Sequence, residues 1–338
     1  MVAEVTASGV DTVSFAFRPE GRSYFDVVEA FRAKPHRHGS AGSLVADERG
    51  PDGGRVMLFG ASSGAEPGRA GVVAIESRLG ALLSMDSEDH RLVAADRLHL
   101  GGVTARVLVA EQLGVDPGPA TEVRRYDLAS ELRFRAACDG LAFLRTVAGL
   151  VPARARGTVE VNADGSVMTA YARTAKRGVV HARIYDKGRE SGSDPPGHRV
   201  RIESQNRPPK SRRHHPEALS QLDLKATFGR TMNPYLQADE LVVAGADGAV
   251  AELVARAVRG EISHNRAERL AGSVAFLKHG GRAVYDRDGS NRVRNNERSA
   301  RRLKALRDAG IVLSDELPAE STVPVSELLR DAVSRFTV

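Results

Sequence analysis

HARIYDKG (181–188) and HRVRIESQNR (198–207) decide how this chain is read. Both alternate. In the first, His181, Arg183, Tyr185 and Lys187 fall on one strand face, and Val180, Ala182 and Ile184 on the other. In the second, Arg199, Arg201, Glu203, Gln205 and Arg207 share a face opposite Val200 and Ile202. Two short strands each bury a thin apolar face and present a row of charge. That row holds one tyrosine flanked by cations, with a carboxylate nearby in sequence.

The pattern extends outward. VRRYDLASELRF (123–134) alternates too, with Arg125, Asp127, Ala129, Glu131 and Arg133 on one face. DTVSFAF (11–17), RVMLFG (55–60) and AGVVAIES (70–77) read as strands, and GTVEVNADGSVMTAYA (157–172) as a hairpin turning at Asp164-Gly165. Segments 23–33, 78–83, 88–100 and 139–150 have helical spacing. Residues 34–54 and 190–197 read as irregular and disordered. Beyond 215–240 the chain changes character: 246–260, 263–280, 297–311 and 324–336 are all helical patterns.

The formal net charge is +6 and it is unevenly placed. Residues 121–215 hold 19 Lys+Arg against 10 Asp+Glu, and 256–307 hold 14 against 5. Two separated basic zones suit a polyanion partner, and equally a solvated Arg-rich surface. No stretch approaches the ~18 uninterrupted apolar residues of a membrane span. The first residues lack a basic segment followed by an apolar block, so no secretory leader is expected. The single cysteine, Cys138, forms no disulfide within the chain and suits a cytoplasmic setting. No GxxxxGK[ST] phosphate loop is present, and Trp is absent. His36-Arg37-His38 has a metal-ligand spacing but reads as part of a Pro/Gly loop.

A phenol with its ordinary pKa near 10 is a weak nucleophile at neutral pH. Cations two residues either side of Tyr185 favour its phenolate and can also hold a phosphate. The same residue also suits plain packing at a sheet edge. Asp127, Glu131 and Glu203 form an oxygen pocket for Mg²⁺ or Mn²⁺ if their strands are neighbours, or else pair with Arg125, Arg133, Arg199 and Arg201.

Taken in order, these pieces resemble the rolling-circle replication initiators of phages and plasmids, of the filamentous-phage gene II/X type and the plasmid replication initiation factors. The resemblance is carried by DTVSFAF, VVAIESRLGALL (72–83), the Arg-x-Asp strand at 125–127, Arg-x-Tyr-Asp-Lys-Gly at 183–188 with Arg-x-Glu at 201–203, and RSARRLKALRDAGIVL (298–313). Glu131, where an Asp is usual, and Arg-Leu-Gly-Ala after Glu76 depart from the pattern.

The resemblance implies an α+β fold: an antiparallel sheet with a polar active face, helices on the other face, and a helical C-terminal domain. It implies a nickase-like domain at 1–215 and a DNA-binding or accessory domain at 216–338. Tyr185 would be the nicking nucleophile, Lys187 its partner, and Asp127 and Glu203 the ligands of Mg²⁺ or Mn²⁺, with Glu76 a further acid. DNA contacts are expected from Arg183, Arg199, Arg201, Arg207, Lys210, Arg212, Arg213, Arg298, Arg301 and Arg302. Double- and single-stranded origin DNA, a host helicase and a polymerase are the expected partners, and no membrane. A non-catalytic DNA-binding regulator and a relaxase-like transfer protein are the alternatives.

Overall fold

A computed structural model describes residues 3–19, 22–38, 44–49, 55–59, 72–84, 91–149, 155–161, 167–174, 181–192, 194–236, 241–278, 301–314 and 317–336. The long first strand, β1 (Ala3–Phe17), lies near the middle of a sheet of ten. The others are β2 (His36–His38), β3 (Leu44–Arg49), β4 (Arg55–Phe59), β5 (Val72–Arg78), β6 (Ala120–Phe134), β7 (Ala155–Val161), β8 (Val167–Thr174), β9 (His181–Asp186) and β10 (Arg199–Asn206). Their order is β2-β3-β4-β5-β1-β6-β10-β9-β8-β7, and every neighbouring pair is antiparallel.

Alternation explains the two faces. Leu128, Leu132, Ile184, Val200 and Ile202 are buried without exception and share the apolar side. Helices cover that side. Up to residue 236 the helices are α1 (Arg22–Arg32), α2 (Leu79–Ser84), α3 (Leu98–Leu113), α4 (Ala137–Gly149), the single-turn α5 (Lys187–Ser191) and α6 (Pro216–Ser220), and α7 (Leu224–Leu236), of which α5 lies instead beside the charged face, next to Tyr185. After them come α8 (Ala246–Val258), α9 (His264–Lys278), helical residues 301–307 (α10) and α11 (Val325–Ser334). Phe143 of α4 meets Phe134 of β6 at 5.5 Å between ring centres. Thr231 of α7 shares a 2.8 Å hydrogen bond with Ser204 of β10, and Ser130 of β6 donates to the Ala332 carbonyl of α11 at 3.2 Å. Helices from beyond residue 215 therefore close the core of the sheet.

That docking can be weighed. Phe228 of α7 and Phe336, just past α11, stack at 4.7 Å with their planes 20° apart, and both are buried. Phe336→Ala is expected to destabilise the fold by ~3–5 kcal/mol, since a large ring is removed from a packed interior. Chemical denaturation measures this, and a loss below ~1 kcal/mol would show the contact to be idle.

Several expectations need correction. Residues 88–100 were expected to be helical. Instead Val93 bridges β1, exchanging hydrogen bonds with Val10 at 2.7 and 3.1 Å, and α3 begins only at Leu98. Gly9 allows the approach: its φ is +153°, and a Cβ there would lie 2.6 Å from the Val93 carbonyl oxygen. Residues 34–54, read as irregular, contain β2 and β3, so the His-x-His stretch lies on a strand rather than in a loop. The segment 190–197 is tied down by Asp194, whose carboxylate pairs with Arg199 at 3.1 Å. Asp164-Gly165 lies outside the described residues, though the strands flanking it do pair. The C-terminal part also contains three three-residue strands, β11 (Val242–Ala244), β12 (Ile311–Leu313) and β13 (Thr322–Pro324), in the order β12-β11-β13. Strands that short carry no legible alternation. Among the described residues, no helix is long and apolar enough to cross a membrane.

Candidate active site

On the opposite face of the large sheet the charged row is buried. Tyr185 is 2% exposed and sits across from Arg201 on β10 and Thr169 on β8. Its ring lies under two cations: the Arg183 guanidinium carbon is 3.9 Å from the ring centre and Lys187 Nζ 5.9 Å. Burial pushes its phenol well above the ordinary value, with Glu203 and Asp11 adding to the rise and Arg201 opposing it.

Lys187 does not continue the strand as its spacing suggested. Asp186 caps α5, accepting from the Arg189 amide at 3.0 Å and the Gly197 amide at 2.8 Å. Gly197 has a φ of +81°, and a Cβ there would lie 2.4 Å from the Ala137 carbonyl oxygen. The chain turns at this cap, and Lys187 becomes the first helical residue while staying beside the tyrosine. Burial, and then the Arg201 charge, lower its pKa. Glu190 accepts from Lys187 at 2.5 Å and from Arg183 at 3.4 Å.

Beneath the tyrosine lies a buried ion group. Arg201 is fully buried, with Nη1 2.5 Å from Asp11 Oδ1 and Nε 2.9 Å from Glu131 Oε1. Burial lowers the Arg201 pKa and the two acids more than reverse this, so the net direction is upward. Burial likewise raises Asp11, and Arg201 with Lys187 brings it below its ordinary value. Asp11 was not singled out from the sequence. It sits at a register shift, where the three steps from Val10 to Val13 on β1 oppose the two steps from Leu128 to Tyr126 on β6. Such a bulge re-aims a side chain and erases the alternation that would have flagged it. Glu190 was missed for a different reason, since it lies in a segment read as irregular.

Asp127 and Glu203 are both buried on this face, on the neighbouring strands β6 and β10. Arg125 grips both oxygens of Asp127 and reaches Glu76 at 2.6 Å. Glu203 Oε1 accepts from Gln205 at 2.8 Å. Its Oε2 is buried and makes no hydrogen bond among the described residues; Arg183 Nη1 is 3.7 Å away. Burial raises the pKa of both acids, and Asp127 is raised further by Glu203. The two acids are held differently: Arg125 engages both oxygens of Asp127, while one oxygen of Glu203 is left without a hydrogen bond among the described residues. Among the described residues no group of three or more His, Cys, Asp or Glu is arranged for a metal.

The expected DNA contacts scatter. Arg201 is interior, and its guanidinium belongs to the buried ion group. Arg183 and Arg199 are partly exposed at the rim of the site. Arg207 and Arg212 are exposed, while Arg213 pairs with Glu122 at 2.7 Å. Arg301 is exposed, and Arg302 stacks on Phe276 at 3.7 Å. Arg298 and the Lys210 side chain lie outside the described residues.

No family model matches the chain, and no curated protein does. Among solved structures, it is similar to a rolling circle replication initiator protein from Geobacillus stearothermophilus. The identity is 14% and the TM-score 0.35, over 68% of this chain and 84% of that one. So distant a likeness does not carry the reading below.

Proposed function

We propose that this protein is a DNA nicking-joining endonuclease that initiates rolling-circle replication. The observation that carries this reading is the setting of Tyr185. It is a tyrosine held between Arg183 and Lys187, on a sheet face that also buries Asp11, Asp127, Glu131 and Glu203. Cations beside the ring and acids on the same face are the groups a tyrosine uses to attack a phosphodiester.

In the proposed step Tyr185 Oη attacks phosphorus. The Oη–P bond forms, the bond to the 3′ oxygen breaks, and that oxygen leaves as a 3′-OH available to a polymerase. The phenolic proton is released to water as the departing 3′ oxygen takes one up, and the Lys187 ammonium, paired with Glu190 before DNA binds, offsets charge on the phenolate and the phosphate. Arg183 and Arg199 bind flanking phosphates, a contribution that salt weakens. Arg201, locked between Asp11 and Glu131, positions the strand beneath the tyrosine.

Asp127 and Glu203 would hold Mg²⁺ or Mn²⁺. A bound divalent ion there offsets charge on the phosphoryl oxygens. The catalytic work is assigned to 1–215 and the holding of origin DNA to 216–338, with Arg301, Arg302 and the exposed Arg207 and Arg212 at phosphates. A host helicase and polymerase would follow the nick.

The metal assignment has a direct test. Saturating Mn²⁺ or Mg²⁺ is expected to stabilise the wild-type protein by ~2.7 kcal/mol at a hundredfold excess over Kd. The Asp127→Asn, Glu203→Gln double variant should show no such shift. An equal shift in both proteins would place the ion elsewhere. The function itself is tested by incubating wild type with supercoiled and single-stranded DNA of its own replicon. A metal-dependent nick with protein covalently joined to a 5′ end is expected. Binding without any adduct would favour the non-catalytic regulator.

A further inference from the structure

We infer that the Glu190 carboxylate stands over Tyr185 in the place a DNA phosphate takes during binding, so that the site is an anion pocket closed by the chain's own acid. This rests on the reading of Tyr185 as the strand-transfer nucleophile and names what gates it.

The geometry is that of a phosphate clamp with a carboxylate in it. Lys187 Nζ meets one Glu190 oxygen at 2.5 Å, and Arg183 Nη2 meets the other at 3.4 Å. The same two cations flank the Tyr185 ring, at 5.9 and 3.9 Å. An arginine fork and a lysine ammonium converging on two oxygens of one anion are the donors a phosphodiester requires. Glu190 is the exposed member of the group: its side chain is 39% exposed, against 3% for Lys187. Tyr185 beneath is closed off, at 2%.

Exchange is easy on charge and on backbone. A phosphodiester carries one negative charge, as the carboxylate does, so replacing one by the other leaves neither cation without a counter-charge. Glu190 lies on a single-turn helix pinned at its start by Asp186 and ended by Gly192 at φ +66°. Its side chain can swing outward without moving the sheet. The ligand is thus a backbone phosphate of single-stranded DNA. An incoming strand displaces Glu190 and takes its place over the tyrosine.

The test uses the full chain and the Glu190→Gln variant, with a short labelled oligothymidylate as probe. The variant is expected to bind about fivefold tighter, the equivalent of removing one partly exposed competing ion pair. Its log affinity should fall more steeply with log salt, by about 0.7 for each phosphate newly paired. Acetylation of Tyr185 by N-acetylimidazole, read by peptide mass spectrometry, should rise in the variant and fall again when the oligonucleotide is added. Unchanged affinity together with unchanged acetylation would overturn the inference. Glu190→Asp, which keeps the charge, should resemble wild type, and tightening by Asp as well as Gln would count against it. The two readings fail separately. Tighter binding by Glu190→Gln with no covalent adduct in any protein leaves the anion pocket and removes the strand transfer. Adduct formation with no effect of Glu190→Gln does the reverse.

Discussion

Replacing Tyr185 by Phe is expected to abolish covalent attachment to DNA and to lower nicking by about 10⁴-fold or more, while origin binding stays within about twofold of wild type. Loss of a nucleophile removes the whole covalent route, and the rest of a catalytic unit cannot replace it. The ring itself should survive the change. Phe keeps the contact with Arg183, which lies 3.9 Å above the ring, and removes only the hydroxyl. Folding is therefore not at issue, and melting curves of the two proteins should superimpose within a degree or two. Denaturing gels of protein cross-linked to labelled DNA measure the adduct. Persistence of the adduct in Tyr185→Phe would move the nucleophile to another residue and end the present reading.

The second large effect is on stability. Arg201→Ala should destabilise the fold by ~3–5 kcal/mol, because it leaves Asp11 and Glu131 as buried charges without their cation. The pH dependence has a definite sign. Asp11 has a folded pKa below its ordinary value, so the ion group contributes stability above that ordinary value and loses it as pH falls toward the folded pKa. Wild type should therefore lose stability on acidification below about pH 4, and Arg201→Ala should show less of that loss. Arg201→Lys should not restore stability, since an ammonium cannot bridge two carboxylates as a fork does. Denaturant titration across pH decides it. A loss below ~1 kcal/mol for the Ala variant would mean that water reaches the two acids.

The alternation of 181–188, 198–207 and 123–134 made three adjoining strands of the sheet legible, together with the side each presents to solvent or core. It did so because buried side chains, most of them hydrophobic, recur at period two there, with Ser130 and Ser204 the small polar members of that face. The bulge near Asp11 hid the acid that completes the ion group, since a register shift breaks that period. The extended stretch at 91–94 was also hidden. Leu92 and Val93 have a spacing that suits a helix, and only the contact with Val10, far away in sequence, selects the extended form. Arg201 was read as a surface cation from its neighbours in sequence. Its burial depends on acids from β1 and β6, which no local pattern displays. The strands of 242–244, 311–313 and 322–324 were too short to read at all.

Near the middle of the large sheet lies a strand whose partners come from distant stretches of sequence. Residues 3–17 pair with 72–78 and with 120–134, and the helix at 325–334 packs on the same core. Pairing between stretches so far apart in sequence is slow to form and leaves strand edges open to self-association in the meantime. Such a protein should depend on chaperones while it is being made. Because Asp11 and Arg201 come from strands 190 residues apart, their ion pair exists only once both strands have taken their places in the sheet.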